Sequence, residues 1–275
     1  MASTTRRLSN RVSFTDVLVK NINFSGLGRV GETLRNRIYK RRIFFAHVPK
    51  CGGTSLSHAL RIRYPLSYFK LSEEAASASS RDLTTGQWME LKARLVAYHA
   101  HCGRHFLQGH IPVTEDYIDR HLTEYNLMTL LRDPVDRVVS HYFFDPRLNK
   151  LTPEDFLRHQ RGFIETHALC HFFGGLDWDN PGDVGEAEAR AMTTLDRFDV
   201  VGILEEPAAF ERTLREDLGL RLSIPHRNQG TTRAGRSLPP EIMERITEMC
   251  EADLRIYRRY RAHAVRRLEG QADSA

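Results

Sequence analysis

The sequence predicts an α/β fold around a parallel sheet, and three observations carry that prediction. Short apolar runs alternate with segments of helical periodicity along most of the chain. The first run, residues 43–48, passes straight into Pro-Lys-Cys-Gly-Gly-Thr-Ser and then into a helical pattern, the strand–turn–helix order of a parallel sheet. The chain has 275 residues, 41% hydrophobic and 27% charged, ordinary values for one main domain with a substantial core.

Residues 43–48 read as a buried parallel strand, and the helix after them, 54–63, places Leu56, Ala59 and Leu60 on one face. Residues 106–111 (FLQGHI) and 126–131 (NLMTLL) are the next strands. After the second, Asp133 is placed to cap a helix with Pro134 at its first position, where the missing proline donor costs nothing. A strand at 198–204 (FDVVGIL) precedes a helix at 207–218. Residues 239–267 read as one long amphipathic helix with Ile242, Ile246, Met249, Leu254 and Tyr257 on its core face. Residues 1–40 mix Ser, Asn, Gly and Arg with short apolar groups and are expected to be a partly ordered arm, leaving 41–275 as the folded domain. The polar stretch SEEAASASSRDLTTGQ, residues 72–87, is expected to be a loop or insertion.

The net charge of +5 and a pI near 9.1 favour an anionic ligand without pointing to nucleic acid. Cys51, Cys102, Cys170 and Cys250 form no Cys-x-x-Cys pair, which argues against a disulfide framework or a zinc ribbon and leads us to expect reduced thiols and a cytoplasmic location. No apolar stretch approaches the roughly 18 residues of a membrane span.

Two segments carry residue types suited to an anion. A Gly-rich turn from a strand into a helix presents backbone N–H groups and a positive dipole end to a phosphate. Gly52, Gly53, Thr54 and Ser55 form such a turn, led by Pro49, Lys50 and Cys51. Lys50 precedes the glycines, whereas the loops of ordinary ATPases and GTPases place lysine after the last one, which disfavours those classes. The alternative is a tight turn without a ligand, since glycine also serves backbone with positive φ. In LLRDPVDRVVSHYFF, Arg132 ends a strand and Ser140 lies two turns into the helix, so a guanidinium and a hydroxyl can clasp one group. Arg132 can instead pair with Asp133 or Asp136. His99, His101, Cys102 and His105 in YHAHCGRH are metal-ligating types, but their spacing fits no zinc motif, and no metal is expected. His167 and His171 are expected on one helix beside a cleft, and Trp88 and Trp178 either stack on a ligand or pack in the core.

Taken together, the two segments resemble the 3′-phosphoadenosine-5′-phosphosulfate (PAPS) dependent sulfotransferases. FAHVPKCGGTSL resembles their 5′-phosphosulfate loop and LRDPVDRVVSHYFF their 3′-phosphate motif, especially in the carbohydrate branch that includes heparan sulfate 2-O-sulfotransferase. FLQGHIP, CHFFGG, FDVVGILEE and HRNQGTTR extend the likeness from Arg42 to the C-terminus. The resemblance implies a three-layer P-loop-like fold with a central parallel sheet, PAPS as donor, PAP as product, and a hydroxyl-bearing acceptor, expected to be a carbohydrate. It implies that Lys50 and the backbone of Pro49, Cys51, Gly52, Gly53, Thr54 and Ser55 hold the 5′-phosphosulfate, Lys50 also neutralising charge on the leaving oxygen. Arg132 and Ser140 would read the 3′-phosphate. Arg227, Asn228, Thr231 and Thr232 would add nucleotide contacts, their segment being otherwise a basic surface loop.

His110 matches the histidine that this branch uses as catalytic base, and a neutral imidazole can take a proton near pH 7; a structural role is the alternative. Gln108 stands where a close relative has a second histidine, and Glu73 and Glu74 are reserve carboxylates. Animal members carry an N-terminal membrane anchor with no counterpart in this sequence, so their Golgi location and polymer substrate are not carried over. Two rivals remain: a nucleotide-dependent phosphoryl transferase, which predicts ATP with Mg²⁺ as ligand, and a non-enzymatic basic module that binds polyanions with strong salt dependence.

Overall fold

Five strands, β1 (Ile43–Ala46), β2 (Tyr68–Lys70), β3 (Phe106–Gly109), β4 (Asn126–Leu131) and β5 (Val200–Ile203), pair in the order β2-β3-β1-β4-β5, every pair parallel. They belong to a computed structural model that describes residues 28–72, 82–222 and 238–269. Parallel neighbours need crossovers, and these are helical: α2 (Gly53–Arg63) follows β1, α3 (Thr85–His101) precedes β3, α4 (Glu115–His121) links β3 to β4, and α5 (Pro134–Phe144) follows β4.

Alternate side chains of β1 serve opposite faces of the sheet, which explains its uninterrupted apolar run. Ile43 and Phe45 pack with Leu56 and Leu60 of α2 and with Phe210 and Leu214 of α10 (Pro207–Asp217). Phe44 and Ala46 pack on the other face with Val96 of α3, with Phe172 and Phe173 of α8 (Ala168–Phe173), with α9 (Val184–Leu195) through Ala187 and Ala191, and with α12 (Glu251–Glu269) through Ile256 and Tyr257. The result is the three-layer α/β arrangement that the sequence predicts. A separate cluster joins Val138 and Tyr142 of α5 to α6 (Pro153–Arg158) and α11 (Pro240–Met249). Among the described residues no helix is long and apolar enough to cross a membrane.

The structure corrects several expectations. The strand ladders stop at Ala46, Gly109 and Ile203, short of the expected 48, 111 and 204, because the chain turns at the carboxyl edge to build the site. β2 was not anticipated, for it is a three-residue edge strand and only partly buried. The stretch 72–87, expected to be a loop or insertion, contains the start of α3, where Thr84 and Gln87 form a capping box; residues 73–81 lie outside the described part. The long C-terminal helix is two helices divided at Cys250, whose buried position lets α11 join the α5–α6 cluster while α12 returns to the sheet. Within the expected arm, α1 (Gly28–Ile38) leads into Tyr39, which is buried and accepts a hydrogen bond from the Leu66 N–H at 3.2 Å; residues 1–27 lie outside the described part.

Candidate active site

The carboxyl ends of three adjacent strands meet here. β1 sits between β3 and β4, with Ala46 in register with both Gly109 and Thr129. In such sheets the crevice beyond the carboxyl ends, where strand order changes direction, is where ligands bind. The loop after β1 carries Pro49 to Gly53, the end of β3 is followed by His110, and the end of β4 by Arg132.

Gly52 caps α2 in a left-handed conformation, φ 75°, and a Cβ there would lie 2.6 Å from Leu204. Gly53 begins the helix, and a Cβ on it would lie 2.4 Å from Nε2 of His47. Gly53 is therefore required by the packed rings of His47 and Phe45, and Gly52 by its left-handed conformation. Among the described residues no side chain caps the first turn of α2, and no acidic residue stands in it, so its N–H groups and dipole present positive potential. Those features fit a phosphosulfate or phosphate group. Thr54 is exposed and Ser55 half-buried at this end, whereas the Cys51 thiol faces the core and burial pushes it up to about 12, leaving the backbone of Cys51 as the part that can meet a ligand.

Among the described residues Lys50 is the non-glycine residue with positive φ, 68°. Its Nζ lies 3.6 Å from the ring centroid of Phe144 at the end of α5. Its carbonyl accepts a hydrogen bond from Arg132 Nη1 at 3.2 Å, which joins the two motifs directly. Of the alternative partners for Arg132, Asp136 lies 4.0 Å away, while Asp133 is committed to capping α5 by accepting from Val135 and Asp136 N–H groups at 2.9 and 3.1 Å. Ser140 lies one helical turn beyond Asp136 on α5. Glu205 braces this corner, accepting from the Asp133 N–H at 3.2 Å and from the Tyr257 hydroxyl at 3.0 Å.

His110 donates from Nδ1 to the carbonyl of His47. Because a carbonyl only accepts, Nδ1 carries the proton and the lone pair of the neutral ring is on Nε2. The His47 ring sits 4.4 Å from that of His110 and 5.0 Å from that of Phe45, and its Nδ1 accepts from Gln108 Nε2 at 3.0 Å. Gln108 accepts in turn from the Ser57 hydroxyl. Burial, with His110 and Lys70 adding positive charge nearby, pulls His47 well below its ordinary value, so His47 is neutral. Gln108 therefore supports His110 through His47, a histidine that sequence reasoning passed over. Its signal was its place at the end of β1, level with His110 across a parallel register.

A cavity of about 390 Å³ opens beside Pro49 and His110. Trp88 and Lys92 of α3 form one wall, Trp178 and Phe172 another, and Arg137, His141 and Glu165 of α7 (Gln160–Thr166) line it near α5. The Trp178 ring rests 4.5 Å from that of His171, whose Nδ1 donates to the Leu176 carbonyl at 2.9 Å; His167 and His171 are divided by a break at His167 rather than sharing one helix. Arg137 and Glu165 form a buried ion pair at 3.0 Å, and His141 Nδ1 lies 2.7 Å from the same carboxylate. Neither Glu165 nor His141 was singled out by the sequence, although Arg137 and His141 are four apart on one helix face. The histidines of YHAHCGRH diverge: His99 stacks on Phe69, His101 bonds His121, and His105 bonds Ser67. Arg227, Asn228, Thr231, Thr232, Glu73 and Glu74 lie outside the described residues.

A profile of the sulfotransferase family matches residues 37–261, a span that holds every element from β1 to β5 and all the site residues above. The chain belongs to the sulfotransferase family. It is thus an enzyme that moves a sulfuryl group from a sulfate donor to a hydroxyl-bearing acceptor. A comparison with curated proteins gave no significant match.

Proposed function

We propose that this sulfotransferase takes PAPS as its donor and a carbohydrate hydroxyl as its acceptor, with His110 as the base. The reading rests on one observation above others: Arg132 hydrogen-bonds the carbonyl of Lys50, so a residue suited to a 3′-phosphate and a loop suited to a 5′-phosphosulfate form one continuous cradle. The carbohydrate acceptor is favoured by a cavity of about 390 Å³ that combines the rings of Trp88 and Trp178 with polar side chains.

In this mechanism PAPS supplies the sulfuryl group. Lys50 and the first-turn N–H groups of α2 hold the phosphosulfate, while Arg132 and Ser140 hold the 3′-phosphate that distinguishes this donor from ATP. His110 Nε2 takes the acceptor proton as the acceptor oxygen forms its bond to sulfur. The bond from sulfur to the bridging oxygen breaks in line, and Lys50 neutralises the charge that grows on that oxygen.

Thermal-shift measurements with PAP, ATP–Mg²⁺ and heparin separate this reading from its rivals, a selective rise in Tm with PAP being expected. By calorimetry, Lys50→Ala and Arg132→Ala should lose PAP affinity. His110→Ala should bind PAP like the parent protein while kcat falls by about 10²- to 10⁴-fold. Full PAP affinity in both cradle variants would overturn the assignment.

A further inference from the structure

His110 is not the only imidazole of the cavity with a fixed tautomer. His141 lines the same space, and its Nδ1 lies 2.7 Å from the Glu165 carboxylate. A carboxylate only accepts, so Nδ1 carries a proton and Nε2 is the ring nitrogen left to meet a ligand hydroxyl. The arrangement is held rigidly. Arg137 contacts the same Oε2 at 3.0 Å and donates again to the main-chain carbonyl of Glu165, and the side chains of Arg137 and Glu165 are 2% and 6% exposed. Arg137 precedes His141 by one helical turn on α5, so one helix face fixes both partners of the carboxylate.

The cavity therefore contains two imidazoles on separate elements, each anchored through Nδ1, one by a main-chain carbonyl and the other by a buried carboxylate. Through Nε2 each ring has the geometry to hydrogen-bond a hydroxyl. We infer that His141 binds a second hydroxyl of the acceptor, adjacent to the one that His110 deprotonates, so that the enzyme selects acceptors with neighbouring hydroxyls and sulfates one of them. This inference rests on the carbohydrate reading above and assigns a separate residue to orientation. A site built to hydrogen-bond a hydroxyl discriminates against the analogue that lacks it, because the polar group is then left without its partner.

The test uses the full chain with PAPS and p-nitrophenyl glycosides, each paired with its monodeoxy analogue lacking one of two adjacent hydroxyls. The parent enzyme should favour the diol by roughly 10- to 100-fold in kcat/KM. His141→Ala should lose that factor on the diol, mainly through KM, and should no longer distinguish the deoxy analogue. His141→Gln, whose amide oxygen still accepts, should keep part of the discrimination. PAP affinity should be unchanged in both variants. Undiminished discrimination in His141→Ala, or an equal loss on both acceptors, would overturn the assignment of His141 while leaving the carbohydrate reading intact. Absence of turnover of any glycoside by the parent enzyme would overturn both.

Discussion

The proposed donor cradle and the proposed acceptor cleft share a wall at Pro49 and His110 but are built on different principles. The cradle is mostly backbone: one continuous turn, two glycines held by packing or conformation, a helix end and a lysine, tied to the next motif by Arg132. The cleft is mostly side chains contributed by α3, α5, α7 and α8 and by the loop after α8, and the buried cluster of Arg137, Glu165 and His141 lines it near α5. A backbone site is specified over a dozen residues and bears little on global stability. A side-chain cluster buried between helices is part of the core, so its chemistry and its folding are coupled.

The largest effect that would test this contrast is expected in the cradle. On the proposed mechanism, in which Lys50 neutralises the leaving oxygen, Lys50→Ala should lower kcat by about 10³-fold, with little change in the urea midpoint. A large fall in stability would show that the cradle is not separable from the core. Glu165→Gln should behave in the opposite way, destabilising by roughly 3–5 kcal/mol because Arg137 is left buried without its counter-charge. An unchanged unfolding free energy would break the comparison on the cleft side.

The same cluster sets a pH dependence. Burial pushes the Glu165 carboxyl up, but His141 and Arg137 outweigh it and hold the group at about 2 against an ordinary 4.5. A depressed carboxyl stabilises the fold above its unfolded value, so this contribution is complete above pH 4.5 and lost as pH falls towards 2. His105 and His171, held neutral mainly by burial at about 4 against 6.5, act in the same direction, losing stability from pH 6.5 downward. Urea titrations across that range should show a decline on the acid side, and the step below pH 4.5 should be smaller in Glu165→Gln.

Arg132→Ala comes next, with a loss of about 10- to 100-fold in PAP affinity by calorimetry and none in folding. The smallest effect concerns thiols. Cys102 is exposed, while Cys51, Cys170 and Cys250 are buried, so a thiol reagent should modify Cys102 alone and leave transfer unchanged. Rapid reaction at Cys51 would mean that the loop opens far more than its packing allows.

The difference between the two regions also decides what can be read without coordinates. The loop after β1 and the Asp133-Pro134 start of α5 are local patterns, and both are found where spacing places them. The parallel sheet follows from alternation, and only its three-residue edge strand escapes. His47 and Gln108 are different, since each is unremarkable in its own segment and gains meaning only when register sets β1 beside β3. Glu165 is 28 positions from Arg137, a pairing that no local pattern contains. The break at Cys250 is likewise fixed by what each half of the helical stretch packs against and not by any breaker residue in it.

Lys50 keeps a left-handed backbone that costs an L-residue about 1–2 kcal/mol and that glycine would adopt freely. A glycine at that position would make a more comfortable loop and an enzyme without its charge. Stability alone would favour glycine there, so on the proposed mechanism the lysine serves the reaction against the preference of the chain. In a set of variants ranked by melting temperature, the most stable loop should be among the least active.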